Sequence, residues 1–216
     1  MLCTLDYAYC MSIPGDRELV QILDASFADS AQRSGAWLVC HAGCTQCCIG
    51  AFAINQLDAQ RLRDGLADLK TTEPIRAAGV ERRAADYIAR LSADFPGDAA
   101  TGILAEDEDS KLRFEDFAND EPCPALDLST GRCDLYEARP TTCRVFGPPI
   151  RSGEEGGLGV CDLCFHGASP EEIAACEMEV DPEGLEAKLL AEVEQGGLHG
   201  STLVAYCLKA WPTAIC

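Results

Sequence analysis

Cys40-His41-Ala42-Gly43-Cys44-Thr45-Gln46-Cys47-Cys48 puts four thiols into nine residues, two of them adjacent and one preceded by glycine. The run reads as part of the ligand shell of a soft-metal site on a small helical scaffold. Working outward, Cys123, Cys133 and Cys143 are each separated by nine residues, and Cys161-Asp162-Leu163-Cys164 closes the set. A thiolate is a soft, charged donor that suits zinc and iron–sulfur clusters. Cys-x-x-Cys spacing, present at Cys44/Cys47 and Cys161/Cys164, lets two sulfurs converge on one metal from a single turn. The candidate ligands are therefore Cys40, Cys44, Cys47, Cys48, Cys123, Cys133, Cys143, Cys161 and Cys164, and the candidate cofactor is zinc or iron, the latter as an iron–sulfur cluster. Adjacent side chains point apart, so Cys47 and Cys48 could serve two metals, or one could ligate while the other packs. Eight thiols would fill two four-thiolate sites, or one site with spares. Spacing does not partition them, and Cys40 is a ninth.

The segments around these cysteines read as helices. Asp16 is placed to cap a helix running to about Ser34, with Gly35 as its stop. Its apolar face is Leu19, Ile22, Leu23, Phe27 and Ala31, and it is expected to pack beside the site with Trp37 covering it. Asn55 is a good N-cap for a helix with Leu62, Leu66 and Leu69 inside. Pro74 opens another, carrying Ala84, Tyr87, Ile88, Leu91 and Phe95 on its inner face up to Pro96-Gly97-Asp98. Residues 98–121 are acidic and weakly patterned, and read as a solvated loop. Residues 122–167 hold too many prolines for a long helix. A metal would offset the chain entropy of ordering them. Ser152-Gly153-Glu154-Glu155-Gly156-Gly157 reads as a flexible loop. Ser169-Pro170-Glu171-Glu172 has capping-box form, Asp181-Pro182 starts a further helix with Leu185, Leu189 and Val193 inside, and a last one is expected over roughly 201–211. The fold class is thus mainly α: a small helical domain with a loop-rich, metal-stapled cysteine region. Residues 1–10 read as an extension upstream of a natural start at Met11. Residues 11–216 form one domain, with its cysteine core over 36–166 and C-terminal helices over 167–216.

Composition narrows the function. The chain has 216 residues, 14 cysteines and a formal net charge of -19. That field repels phosphate backbones and acidic membrane surfaces, so neither nucleic acid nor membrane is an expected partner. No apolar run approaches the roughly 20 residues of a membrane span. Met1-Leu2-Cys3-Thr4-Leu5-Asp6-Tyr7 carries no export signal, which places the thiols in a reducing cytoplasm where they persist as metal ligands rather than disulfides. Cys176 and Cys207 read as small buried hydrophobes, and Cys3, Cys10 and Cys216 are given no role. His41 and His166 lie near thiols but are expected to be exposed or hydrogen-bonded, since the cysteines suffice.

A second dense stretch is Tyr136-Glu137-Ala138-Arg139-Pro140-Thr141-Thr142-Cys143-Arg144. Arg139 and Arg144 flank Cys143 in a very acidic protein. They either stabilise thiolates by direct attraction or pair with Glu137 and neighbouring carboxylates. Cys44-x-x-Cys47-Cys48, then Cys123-Pro-Ala-Leu-Asp, then Gly131-Arg-Cys133-Asp-Leu-Tyr136-Glu-Ala-Arg139-Pro140-x-x-Cys143-Arg144-Val-Phe146 together resemble the YkgJ-type cysteine-cluster proteins, also called CxxCxxCC proteins. The resemblance covers about residues 36–166 and implies a zinc- or iron-chelating domain. Its relatives include flagellin lysine methylases, in which an iron–sulfur cluster is implicated. Carried over by motif, it implies Cys44, Cys47, Cys48, Cys123, Cys133 and Cys143 as the metal set, which Cys161 and Cys164 extend. Cys40 departs from the pattern, with three residues rather than two before Cys44.

Three functions remain open on the sequence. The first is a metal-binding protein without catalysis of its own, serving a protein redox partner if its metal is a cluster. The second is a cluster-dependent enzyme of the methyltransferase kind. Cys40-x-x-x-Cys44-x-x-Cys47 matches the radical-enzyme spacing, yet the chain is too short and helical for the barrel that houses it. The third is a thiol-disulfide redox protein.

Overall fold

A computed structural model describes residues 13–41, 43–152, 157–197 and 199–209. Its helices are α1 (Asp16–Ser34), α2 (Gln56–Thr72), α3 (Pro74–Leu91), α4 (Glu108–Glu115), α5 (Thr141–Val145), α6 (Pro170–Ala175), α7 (Leu185–Gln195) and α8 (Val204–Leu208). Three two-stranded antiparallel hairpins interrupt them: β1 (Gly97–Asp98) with β2 (Ile103–Leu104), β3 (Leu126–Asp127) with β4 (Arg132–Cys133), and β5 (Ile150–Ser152) with β6 (Gly157–Gly159). The protein is mainly α. Among the described residues no helix is long and apolar enough to cross a membrane.

The long helices form where the sequence places them. Asn55 Oδ1 accepts the Asp58 backbone N–H at 2.9 Å and starts α2, satisfying a donor that the first turn leaves without a partner. Pro74 occupies the first turn of α3, where its missing N–H costs nothing. Leu62, Leu66 and Leu69 of α2 pack on Ala77, Val80 and Ala84 of α3 and on Val204 and Leu208 of α8. A second cluster sets Tyr87 and Ile88 against Phe95, Phe117 and Tyr206. A third joins Leu19 and Leu23 of α1 to Leu57, Val145 and Leu189. Leu19, Leu23 and Leu57 are completely buried, each contributing about 1.5–3 kcal/mol.

Four expectations change. Gly15, with φ 94°, takes the cap position of α1. Asp16 is the first helical residue instead, and its carboxylate receives the Arg61 guanidinium Nε at 2.9 Å. Helix α3 stops at Leu91, and Phe95 turns back to pack edge-on against Phe117. The acidic segment is not wholly a loop. Asp107 Oδ1 accepts the Ser110 N–H at 3.0 Å and starts α4, with Glu108 and Asp109 at its positive end. The last helix is only Val204–Leu208; residues beyond 209 lie outside the described set, as do residues 1–12 and most of the expected loop at 153–156. The Ser169–Glu172 capping box is present in full.

Candidate metal centre

The thiol run owes its path to one glycine. Gly43, at φ 93°, takes a left-handed conformation that other residues rarely adopt. The chain reverses there, with the Cys44 N–H donating to His41 O at 3.0 Å. A single 3-10 turn over Gln46–Cys48 follows. The second half of the cysteine set then docks on the first through its backbone. The Cys123 N–H donates to Cys48 O at 2.7 Å and the Gly50 N–H to Glu121 O at 2.9 Å. The β3–β4 hairpin pairs Leu126 with Cys133, and its turn is held by Asp127, which accepts the Ser129 N–H at 2.9 Å. Helix α5 carries Cys143. The last pair sits on a turn closed by the Cys164 N–H on Cys161 O at 2.8 Å, and the Phe165 N–H donates to Trp37 O at 3.0 Å.

These segments surround an open cleft of about 940 Å³. Cys40, Cys44, Cys47, Cys48, Cys123, Cys133, Cys143 and Cys161 all line it. Cys164 is buried just behind, its Sγ 3.9 Å from that of Cys40. Trp37 packs with Cys161, Cys164, Phe165 and Cys176, and it is not among the residues that line the cleft. His41 lines the mouth, and His166 is exposed. The eleven described cysteines are free thiols. Cys176 and Cys207 are buried, as a small apolar side chain would be.

Neighbouring backbone amides favour charge on several of the cleft sulfurs: those of Ala125 and Leu126 at Cys123, of Leu135 at Cys133 and of Leu163 at Cys161. The Leu126 N–H itself donates to Cys123 O at 2.9 Å. In the core, the Cys207 thiol donates to Leu203 O at 3.4 Å. Without a cation most of the cleft thiols hold their protons. Burial pushes Cys123 up to about 12 and, with the neighbouring Cys164, Cys40 up to about 12. Burial also raises Cys133, Cys143 and Cys161. Cys47 is the exception, lowered to about 6 chiefly by the Cys48 thiol that hydrogen-bonds to it, with Arg139 assisting.

The two arginines divide the roles expected of them. Arg144 is almost fully buried and binds Asp24 of α1 at 3.0 Å, together with the carbonyls of Glu137 and Arg139. It ties the Cys143 segment to α1. Arg139 lies over the Tyr136 ring, 3.9 Å from its centroid, and its charge reaches Cys47. Neither arginine bonds the Glu137 carboxylate among the contacts described; Asp24 takes that part. Asp24, Asp58 and Arg61 all support the site and were not among the sequence candidates. Each sits among the polar positions of an amphipathic helix, where it reads only as surface.

The donor set fits a soft metal or a cluster in chemistry and in number. Among the described residues no three His, Cys, Asp or Glu side chains are gathered tightly enough to hold an ion as they stand. The chain belongs to the CxxCxxCC family, described as a "putative zinc- or iron-chelating domain", whose model matches residues 39–156. Seven of the nine candidate cysteines fall inside that span, and Cys161 and Cys164 lie beyond it. No curated protein and no solved structure matches the chain.

Proposed function

We propose that this chain is a metal-binding protein of the cytoplasm that holds iron, as an iron–sulfur cluster, or zinc on the thiols of the cleft. The carrying observation is the convergence of eight thiols on one cleft, with Cys164 directly behind. Burial keeps most of these sulfurs neutral, whereas a metal ligand must be a thiolate. A bound cation resolves that conflict, because metal binding displaces the thiol protons. A cluster so placed would exchange electrons with a protein partner, and the net charge of -19 favours a basic one.

Purification without oxygen, with iron, sulfide and zinc measured on one sample, tests the reading. Iron with matching sulfide and visible absorption supports the cluster, and colourless protein with stoichiometric zinc supports the ion. Protein carrying neither overturns the proposal in favour of thiol–disulfide chemistry.

A second reading has its own observation. The cleft, at about 940 Å³, is at the upper end of small-molecule sites, which run to about 1,000 Å³. It has room for a substrate beside a metal, as a cluster-dependent methyltransferase would need. Absence of product from S-adenosylmethionine and a reductant, with cluster-loaded protein, would eliminate it.

A further inference from the structure

We infer that the cysteines form two separate centres, and that Cys40, Cys44, Cys161 and Cys164 make one of them: a four-thiolate site for a single tetrahedral zinc ion, half of it built from residues outside the family's matched segment. The inference rests on the metal-binding reading above and says how its donors are divided.

The division follows from how the segments dock. Cys123 is hydrogen-bonded through its backbone to Cys48, and Cys123 and Cys133 pack together against the α2–α3–α8 core. Cys161 and Cys164 belong to a different buried cluster, with Trp37 and Phe165. Cys40 joins that second group through its contact with Cys164. The electrostatic neighbours agree. The thiols that act on Cys40 are Cys164, Cys161 and Cys44, and those that act on Cys161 are Cys164 and Cys44. Those that act on Cys143 are Cys123, Cys47 and Cys133, and those on Cys48 are Cys47, Cys123 and Cys133. Cys44 and Cys47 share a Cys-x-x-Cys spacing but fall on opposite sides of the divide, while the adjacent Cys47 and Cys48 stay together.

The spacing within the first group suits one ion. Two thiolates on a tetrahedral zinc, each at about 2.3 Å, stand about 3.8 Å apart, and Cys40 and Cys164 are 3.9 Å apart. In a four-iron cluster each cysteine takes its own iron, which would hold the two sulfurs farther from one another. Gly147 permits the approach: a Cβ there would lie 3.0 Å from Cys40 Sγ. Binding must still draw the remaining sulfurs inward, since no three donors converge as they stand.

The test compares metal content after anaerobic purification of the whole chain and two double variants. Cys161→Ser with Cys164→Ser is expected to lose one zinc and keep the metal of the other group. Cys123→Ser with Cys133→Ser is expected to do the reverse. If the first variant retains all its metal, or if both variants lose everything together while the helical circular dichroism is intact, the division is wrong although metal binding stands. Wild-type protein without metal would overturn the binding reading itself. Alkylation mapping of wild-type protein titrated with chelator guards against variants that fail to fold. Cys40, Cys44, Cys161 and Cys164 should become reactive in one step, separate from the other five, and a single step for all nine overturns the inference.

Discussion

Asp58, in the first turn of α2, receives both the backbone N–H and the hydroxyl of Thr141, at 2.9 and 3.1 Å, across 83 positions of sequence. The same carboxylate oxygen takes the Arg61 guanidinium at 2.6 Å. Helix α5 and its Cys143 are thereby fixed to the core through one buried anion. Asp58→Ala leaves the Thr141 donors empty and Arg61 with Asp16 as its remaining carboxylate. Removing one member of a buried pair costs about 3–5 kcal/mol. Urea unfolding should show a loss of that order, with metal content falling as well.

Gly65 occupies the middle of α2 because Ala138 needs the space. A Cβ at Gly65 would stand 2.2 Å from that of Ala138. Alanine gains about 1 kcal/mol of helix propensity over glycine, but overpacking costs about 1–3 kcal/mol. Here the obstruction is a Cβ next to backbone and cannot rotate away. Gly65→Ala should therefore lower the urea midpoint rather than raise it.

Cys133→Ser and Cys207→Ser separate ligand from core. Cys133 lines the cleft, while Cys207 donates to Leu203 O inside the core. Metal content should fall in the first variant and remain at the wild-type level in the second. Equal content in both would remove Cys133 from the ligand set.

Metal uptake by the metal-free protein should release protons and tighten with pH. Burial holds Cys123 at about 12 and, with Cys164, Cys40 at about 12. These thiols are thus protonated at neutral pH and lose their protons only to the metal. Protons compete with the metal below those values, so affinity rises with pH, by about tenfold per unit for each proton released. Chelator competition at pH 6, 7 and 8 measures the slope, and a flat profile would mean that these thiols do not ligate.

The long helices were legible in the sequence because their signals are local. Asn55, Pro74, Gly35 and the Ser169–Glu172 pair each act within a turn of their own position. Helix α4 was missed for a physical reason. Its eight residues bury no side chain, so it has no apolar stripe to read and rests on its Asp107 cap. The hairpins are two or three residues per strand, too short for alternation to show. At the site, the kind of donor was readable from thiol spacing, and so was the family. The grouping of the thiols was not, because it depends on which hydrophobic cluster each segment joins. Cys44 and Cys47 are identical in sequence terms and part only in three dimensions. The supports Asp24, exposed, and Asp58, buried, look like any surface carboxylate until Arg144 and Thr141 are brought to them from the far half of the chain.

The contact between Cys40 and Cys164 spans 124 residues, and that distance has a meaning in time. At about 5–20 residues per second of synthesis, Cys40 leaves the ribosome roughly 6–25 s before its partner exists. During that interval the earliest thiols are unpaired soft donors on an unfinished chain, open to any oxidant or stray copper. The order in which the thiols emerge leaves the first-made side of the cleft waiting longest, and a metal shared with Cys164 can be held only once that residue has followed.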